Sequence, residues 1–239
     1  MVSLEDVFEA MSEAGCPVCQ LSSNRVERFL DRLIYEQVND PGIRQALRDS
    51  QGLCSAHAWQ LAGMPNSPGL GLALVYRDVV QDVRLSVEAS YGDTTSSSSF
   101  IGRSLAGLAR TTGHLFHLAP PTDSHAACPA CSYAAEVEGY ALRALVAGLA
   151  QDGERVTHHL AESDGLCLRH LQQALALDSR PSVSHLLADD ARHRLQALDQ
   201  ELAAYIQHQD YRFRDREPGS WASAWRRALS FVSGERDAP

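Results

Sequence analysis

The chain has 239 residues, 44% of them hydrophobic, which is enough apolar side chain to bury a core and excludes a disordered tail. Its net charge of −9 repels phosphate backbones and argues against nucleic acid as a partner. All 21 basic residues are Arg, and the absence of Lys excludes a Schiff-base lysine, a P-loop lysine and a kinase lysine.

The pattern reads as helices from end to end. Leu4 to Met11 is an amphipathic helix with Leu4, Val7, Phe8 and Met11 on one face. Pro17, directly after Cys16, stands where a first helical turn accepts proline, and Val26, Phe29, Leu30, Leu33 and Ile34 carry the buried face of that second helix. Asp40-Pro41-Gly42 stops it. A short helix from Ile43 to Ser50 follows, capped by Gly52, and another starts at Cys54. Pro65 to Pro68 turns into a long helix ending near Tyr91, with Leu72, Val75, Tyr76, Val79 and Val83 inward. Gly92 to Ser99 reads as a linker, and Phe100 to Leu108 as a counterpart of the first helix. The same order then recurs from Cys128. Its last long helix begins after Arg180-Pro181-Ser182 and runs through Leu186, Leu195, Leu198, Leu202 and Tyr205 to about Tyr211, and a tail helix carries Trp221 and Trp225.

The recurrence is written in cysteine. All six cysteines fall into one pattern used twice: Cys16-Pro-Val-Cys19 then Gly52-Leu-Cys54-Ser-Ala-His57, and Cys128-Pro-Ala-Cys131 then Gly165-Leu-Cys167-Leu-Arg-His170. The first parts are offset by 112 residues and the second by 113, with the one-residue slip expected near Pro41-Gly42. Leu30, Leu33 and Ile34 match Leu142, Leu145 and Val146; Asp40 matches Asp152. The expected organisation is a first repeat over 1–92, a linker with a possible short helix over 93–126, and a second repeat with a helical tail over 127–239.

Three thiols and one imidazole make a complete tetrahedral ligand set, so each repeat is expected to close its own Cys3His site. One site takes Cys16, Cys19, Cys54 and His57; the other takes Cys128, Cys131, Cys167 and His170. Cysteines at a helix start gain thiolate character from the positive end of the helix, and Cys–x–x–His places both ligands on one face. The metal expected is zinc, two ions per chain, with an iron–sulfur cluster as the alternative. Disulfides suit the pattern poorly, because each trio is odd and the histidines recur with the cysteines.

The paired CPxC…GLCxxH motifs, with His208-Gln-Asp-Tyr-Arg-Phe213 near the end, resemble an uncharacterised bacterial family of unknown function over nearly the whole chain. The resemblance implies a tandem helical architecture with recurring metal ligands and transfers no activity.

His114, His117 and His125 read as loop histidines. His158 and His159 share a helix on which one at most faces inward, and His193 and Arg194 read as surface residues. His208 to Arg214 reads as a helix end whose aromatics pack on the tail tryptophans. No GxSxG, HExxH or phosphate loop is present, and a CPxC redox centre requires a βαβ context that the pattern lacks. No apolar run reaches membrane-spanning length and the N-terminus lacks a signal pattern, so a cytoplasmic protein without membrane contact is expected. The reading is an all-α protein of two metal-stapled helical repeats. It acts as a zinc-binding scaffold for a protein partner or for its own copy rather than as an enzyme. A redox or metal sensor, and an enzyme with a site between the repeats, are the alternatives.

Overall fold

A computed structural model describes residues 1–65, 69–91, 127–178, 180–208 and 219–234. Among them the regular elements are all helical: α1 (Leu4–Met11), α2 (Pro17–Tyr35), α3 (Pro41–Asp49), α4 (Ser55–Gly63), α5 (Gly69–Tyr91), α6 (Pro129–Gln151), α7 (Gly153–Glu162), α8 (Leu168–Leu177), α9 (Pro181–His208), a 3-10 turn (Ser220–Ser223) and α10 (Ala224–Ser233). The linker, the Phe100 to Leu108 segment, His114, His117, His125 and residues 209–218 lie outside the described residues.

The duplication is visible in this order: α2 to α5 and α6 to α9 carry the same succession of long, short, short and long helices. Matched caps start matched helices. The Asp40 carboxylate accepts from the Ile43 N–H at 2.9 Å and that of Asp152 from the Arg155 N–H at 3.2 Å. The one-residue slip therefore falls after these caps, not at Pro41-Gly42. Helix α3 has 9 residues and α7 has 10, so the helix itself takes up the extra residue and both still bury their matched leucines, Leu47 and Leu160.

The described chain divides into two compact units, 1–29 with 130–239, and 30–129. The core of the first joins Val7, Phe8 and Met11 of α1 to Val137, Ala141, Leu145 and Leu149 of α6, Val156 and Leu160 of α7, and Leu187 of α9. Each such side chain contributes about 1.5–3 kcal/mol when fully buried. Ser3 and Asp6 close a capping box over α1. Helix α9 buries Val183 and Leu187 near its start and leaves Leu195 exposed. At its far end His208 stacks on Trp221 with centroids 4.2 Å apart, while Trp225 stays exposed on α10.

In the second unit Leu30, Leu33, Ile34, Leu47, Leu61, Val75 and Val79 are buried, so the α5 face is as the spacing predicts. Helix α3 packs on α5, where Asp78 accepts from Arg44 at 2.6 Å and from Arg48 at 3.4 Å.

Candidate metal centres

Every candidate ligand sits at the start of a helix. Cys54 and Cys167 are the N-caps of α4 and α8, with backbone angles of −61°, 163° and −68°, 163°. His57 and His170 follow one turn on. Cys16 and Cys128 directly precede the first-turn prolines of α2 and α6, and Cys19 and Cys131 follow one turn on. Each helix thus presents two ligand atoms from its N-cap and its first turn, beside free N–H groups that favour thiolate. Proline at the first helical position costs no hydrogen bond there. Gly52 and Gly165 lead into the histidine-bearing helices at φ +100° and +78°, which only glycine adopts without strain.

The groupings are crossed between the repeats. Cys16, Cys19, Cys167 and His170 form one cluster, and Cys54, His57, Cys128 and Cys131 the other; within each, the ligand atoms all lie within 4.8 Å of one another. The expectation that each repeat closes its own site is therefore corrected. All eight residues are ligand candidates as the motifs predict, but each CPxC pair meets the CxxH pair of the opposite copy. Sequence spacing cannot tell these arrangements apart, because both copies offer identical half-sites.

In the first cluster, centre A, His170 Nδ1 lies 3.4 Å from Cys16 Sγ, 3.5 Å from Cys19 Sγ and 3.2 Å from Cys167 Sγ, and the Cys19 and Cys167 sulfurs are 3.9 Å apart. Zn–S bonds of ~2.3 Å and Zn–N bonds of ~2.0–2.1 Å give tetrahedral edges of about 3.6–3.8 Å. The cluster has the size of a single-ion coordination sphere. In centre B, Cys54 Sγ lies 3.1 Å and Cys128 Sγ 3.6 Å from His57 Nδ1, the same ring atom. All six cysteines are free thiols.

All four residues of centre A are buried, whereas Cys54, Cys128 and Cys131 of centre B are half-buried. Hydrogen bonds from the Cys16 and Cys19 thiols hold Cys167 far below the ordinary thiol value, and His170 adds to the effect. The bond to Cys167 correspondingly drives Cys16 upward. Burial disfavours a charged His170, but its bonds to Cys167, Cys19 and Glu138 outweigh that and raise it to about 11. Without metal the cluster shares its protons in this way; metal binding displaces them from the thiols and from Nδ1.

Two residues behind His170 escaped the motif reading. Glu138 on α6 approaches its Nε2 at 3.5 Å and is itself held by Arg169 at 2.6 Å. Arg169 also stands 3.2 Å from Nε2. With Nδ1 on a metal, Nε2 carries the proton and must donate, so Glu138 is the compatible partner. Burial raises the Glu138 carboxyl, yet the hydrogen bond and charge of His170, followed by Arg169, prevail and hold it below its ordinary value. Its buried acidic side chain on an otherwise apolar helix face was the available signal.

Other histidines take structural places. His159 stacks on Phe8 at 4.1 Å while His158 is exposed. Arg194 is half-buried: it donates to the carbonyls of Ser163 and Leu160 and lies against Gly165. A cavity of about 440 Å³ borders centre A, with Cys16, Cys167, Arg194, Leu198 and Phe231 in its wall. Among the described residues no helix is long and apolar enough to cross a membrane.

Comparison with known proteins gives the chain relatives of unknown function. A family of unknown function (DUF6062) matches over residues 1–239. An uncharacterized 23.9 kDa protein in the xynA 3' region of Caldicellulosiruptor sp. (strain Rt8B.4) is 31% identical over 78 residues, 33% of this chain and 37% of that protein's length. No solved structure matches.

Proposed function

The chain belongs to the DUF6062 family of unknown function, and from that premise we propose that it is a zinc-binding helical scaffold with two structural Cys3His centres, built to present its helices to a protein partner or to a second copy. The observation that carries the reading is the ligand geometry: three sulfurs and one Nδ1, all within 4.8 Å of one another, occur twice. That spacing encloses one ion. A cluster of two or four irons has to fit between its ligands and spreads them further apart, so the same geometry disfavours the iron–sulfur alternative. Four protein ligands also leave no open position for a water or substrate, which favours a structural over a catalytic metal. The cavity beside centre A has Cys16 and Cys167 in its wall, but these residues are at most 4% exposed, which gives little support to a site of catalysis there.

Zinc bound by such sets supplies on the order of 10 kcal/mol, comparable to the whole stability of a domain. The short helices α4 and α8, of 9 and 10 residues, gain from that fixed start. Free thiols suit a reducing compartment such as the cytoplasm. Exposed Trp59, Leu70 and Val80 are side chains of the kind that anchor protein partners, and the net charge disfavours nucleic acid.

Elemental analysis of the purified chain, followed by circular dichroism before and after complete chelation, tests the reading. A colourless protein with two zinc ions that loses helix on chelation is the expected result. An unchanged helical spectrum after complete metal removal overturns the structural role, and a coloured protein containing iron overturns the metal assignment.

A further inference from the structure

The two centres share one ligand set but differ in their surroundings. At centre A the ligands are all buried, and Glu138, fixed by Arg169, braces His170 from behind. A carboxylate behind a ligating imidazole fixes its tautomer and orientation and raises its basicity. The equivalent positions of the first copy do not offer the same pair. By the 112- and 113-residue offsets, Glu138 corresponds to Val26 and Arg169 to Ala56, which carry no charge. At centre B, Cys54 and Cys131 retain solvent exposure, so a competing ligand can approach their sulfurs without prior opening of a core. At centre A the four ligand residues are at most 4% exposed, even where Cys16 and Cys167 border the neighbouring cavity.

Resting on the metal-binding reading above, we propose that the centres are unequal in role: Cys54, His57, Cys128 and Cys131 form an exchangeable zinc site, which passes its ion to a competing thiol or nitrogen chelator, while Cys16, Cys19, Cys167 and His170 retain theirs. Ligand exchange at a metal–thiolate site begins when an incoming donor displaces one sulfur. The rate therefore follows access to the sulfurs and the rigidity of the remaining ligands; centre A is the more deeply buried, and Glu138 holds its imidazole. The chain then holds one permanent ion and one that reports or responds to the zinc-binding capacity around it.

The test uses the full two-zinc chain and the chromogenic chelator 4-(2-pyridylazo)resorcinol in excess. Release is followed by absorbance, by native mass spectrometry, and by N-ethylmaleimide labelling with peptide mapping. Two phases of one ion each are expected, separated by at least about tenfold in rate, with Cys54, Cys128 and Cys131 labelled during the first. Glu138→Gln is expected to accelerate only the slow phase, by ~10–100-fold, the usual effect of removing such a brace. Loss of both ions in one phase, or labelling of Cys16, Cys19 and Cys167 first, overturns the inequality while leaving the metal reading intact. A chain purified under reducing conditions that neither carries nor takes up zinc overturns the metal reading itself. Should Glu138→Gln fail to fold, the order of labelling in the unaltered chain still decides.

Discussion

The sulfurs of Cys19 and Cys167 lie 3.9 Å apart although 148 residues separate them in the chain. Neither copy of the repeat completes its own set of candidate ligands, so on the metal-binding reading the copies depend on each other through the two centres. This relationship distinguishes the protein from a string of independent zinc modules, and most of the expected behaviour follows from it.

Replacing Cys167 with Ser should lower the zinc content from two ions to one and weaken the fold by several kcal/mol, since metal affinity is coupled to folding. The perturbation should cross to the other copy. Amide exchange is expected to rise at the start of α2, around Cys19, as well as at α8, while the start of α6 stays protected. Exchange that rises at Cys128 to Cys131 instead would restore the within-repeat pairing.

Alanine at Gly165 or Gly52 forces a side chain into the left-handed region, at a cost of about 1–2 kcal/mol. The penalty should be larger at Gly165. A Cβ there meets Arg194 Nε at 2.5 Å, and that guanidinium is tied to backbone carbonyls and to Asp190; at Gly52 the nearest atom is Tyr76 Cε1 at 3.2 Å. Chemical denaturation of both variants with zinc present checks the order.

Leu145 is fully buried on α6 within the core of the first unit. Leu145→Ala is expected to cost about 2–5 kcal/mol through lost transfer energy and the cavity left behind. Because the ligands stand at helix starts rather than at this position, zinc stoichiometry in the folded fraction should stay at two. Urea denaturation combined with metal analysis reads both quantities.

The capping box at α1 supplies a pH-dependent term. Asp6 is held below its ordinary carboxyl value of 3.8 by the Ser3 backbone N–H, then by the Ser3 hydroxyl and by Arg25. A depressed carboxyl contributes stability that is present above the unfolded value and lost as pH falls through the folded one. Ser3→Ala should cost about 1 kcal/mol at neutral pH. The gap to the unaltered chain should narrow below pH 3.8 in thermal melts taken at matched zinc saturation.

Much of this arrangement was legible in the residues. Periodicity and proline placement located α1, α2 and α5, and the repeated spacing marked all eight ligand candidates. The pairing of the half-sites was not legible, because Cys54–x–x–His57 and Cys167–x–x–His170 are chemically interchangeable; only packing over long sequence distances selects a partner. The brace at His170 was also hidden, since Glu138 has no fixed spacing to the motif it serves. Helix α9 has leucines at helical spacing along its length, but its burial is concentrated at Val183 and Leu187 near its start, which spacing alone does not reveal.

The crossed ligand sets also impose an order on synthesis. Cys16 leaves the ribosome 154 residues before His170, an interval of about 8–30 s at ~5–20 residues per second. Throughout that time the first CPxC pair lacks the CxxH pair it meets in the folded chain, and the only imidazole of matching spacing is that of His57. The full set of Cys54, His57, Cys128 and Cys131 is present as soon as Cys131 emerges. The nascent chain can therefore assemble the more exposed cluster in its folded pairing first, and until His170 emerges the chemically equivalent wrong pairing of Cys16 and Cys19 with Cys54 and His57 competes with it. On the metal-binding reading, an ion taken up early has to be shared out again before this fold is reached.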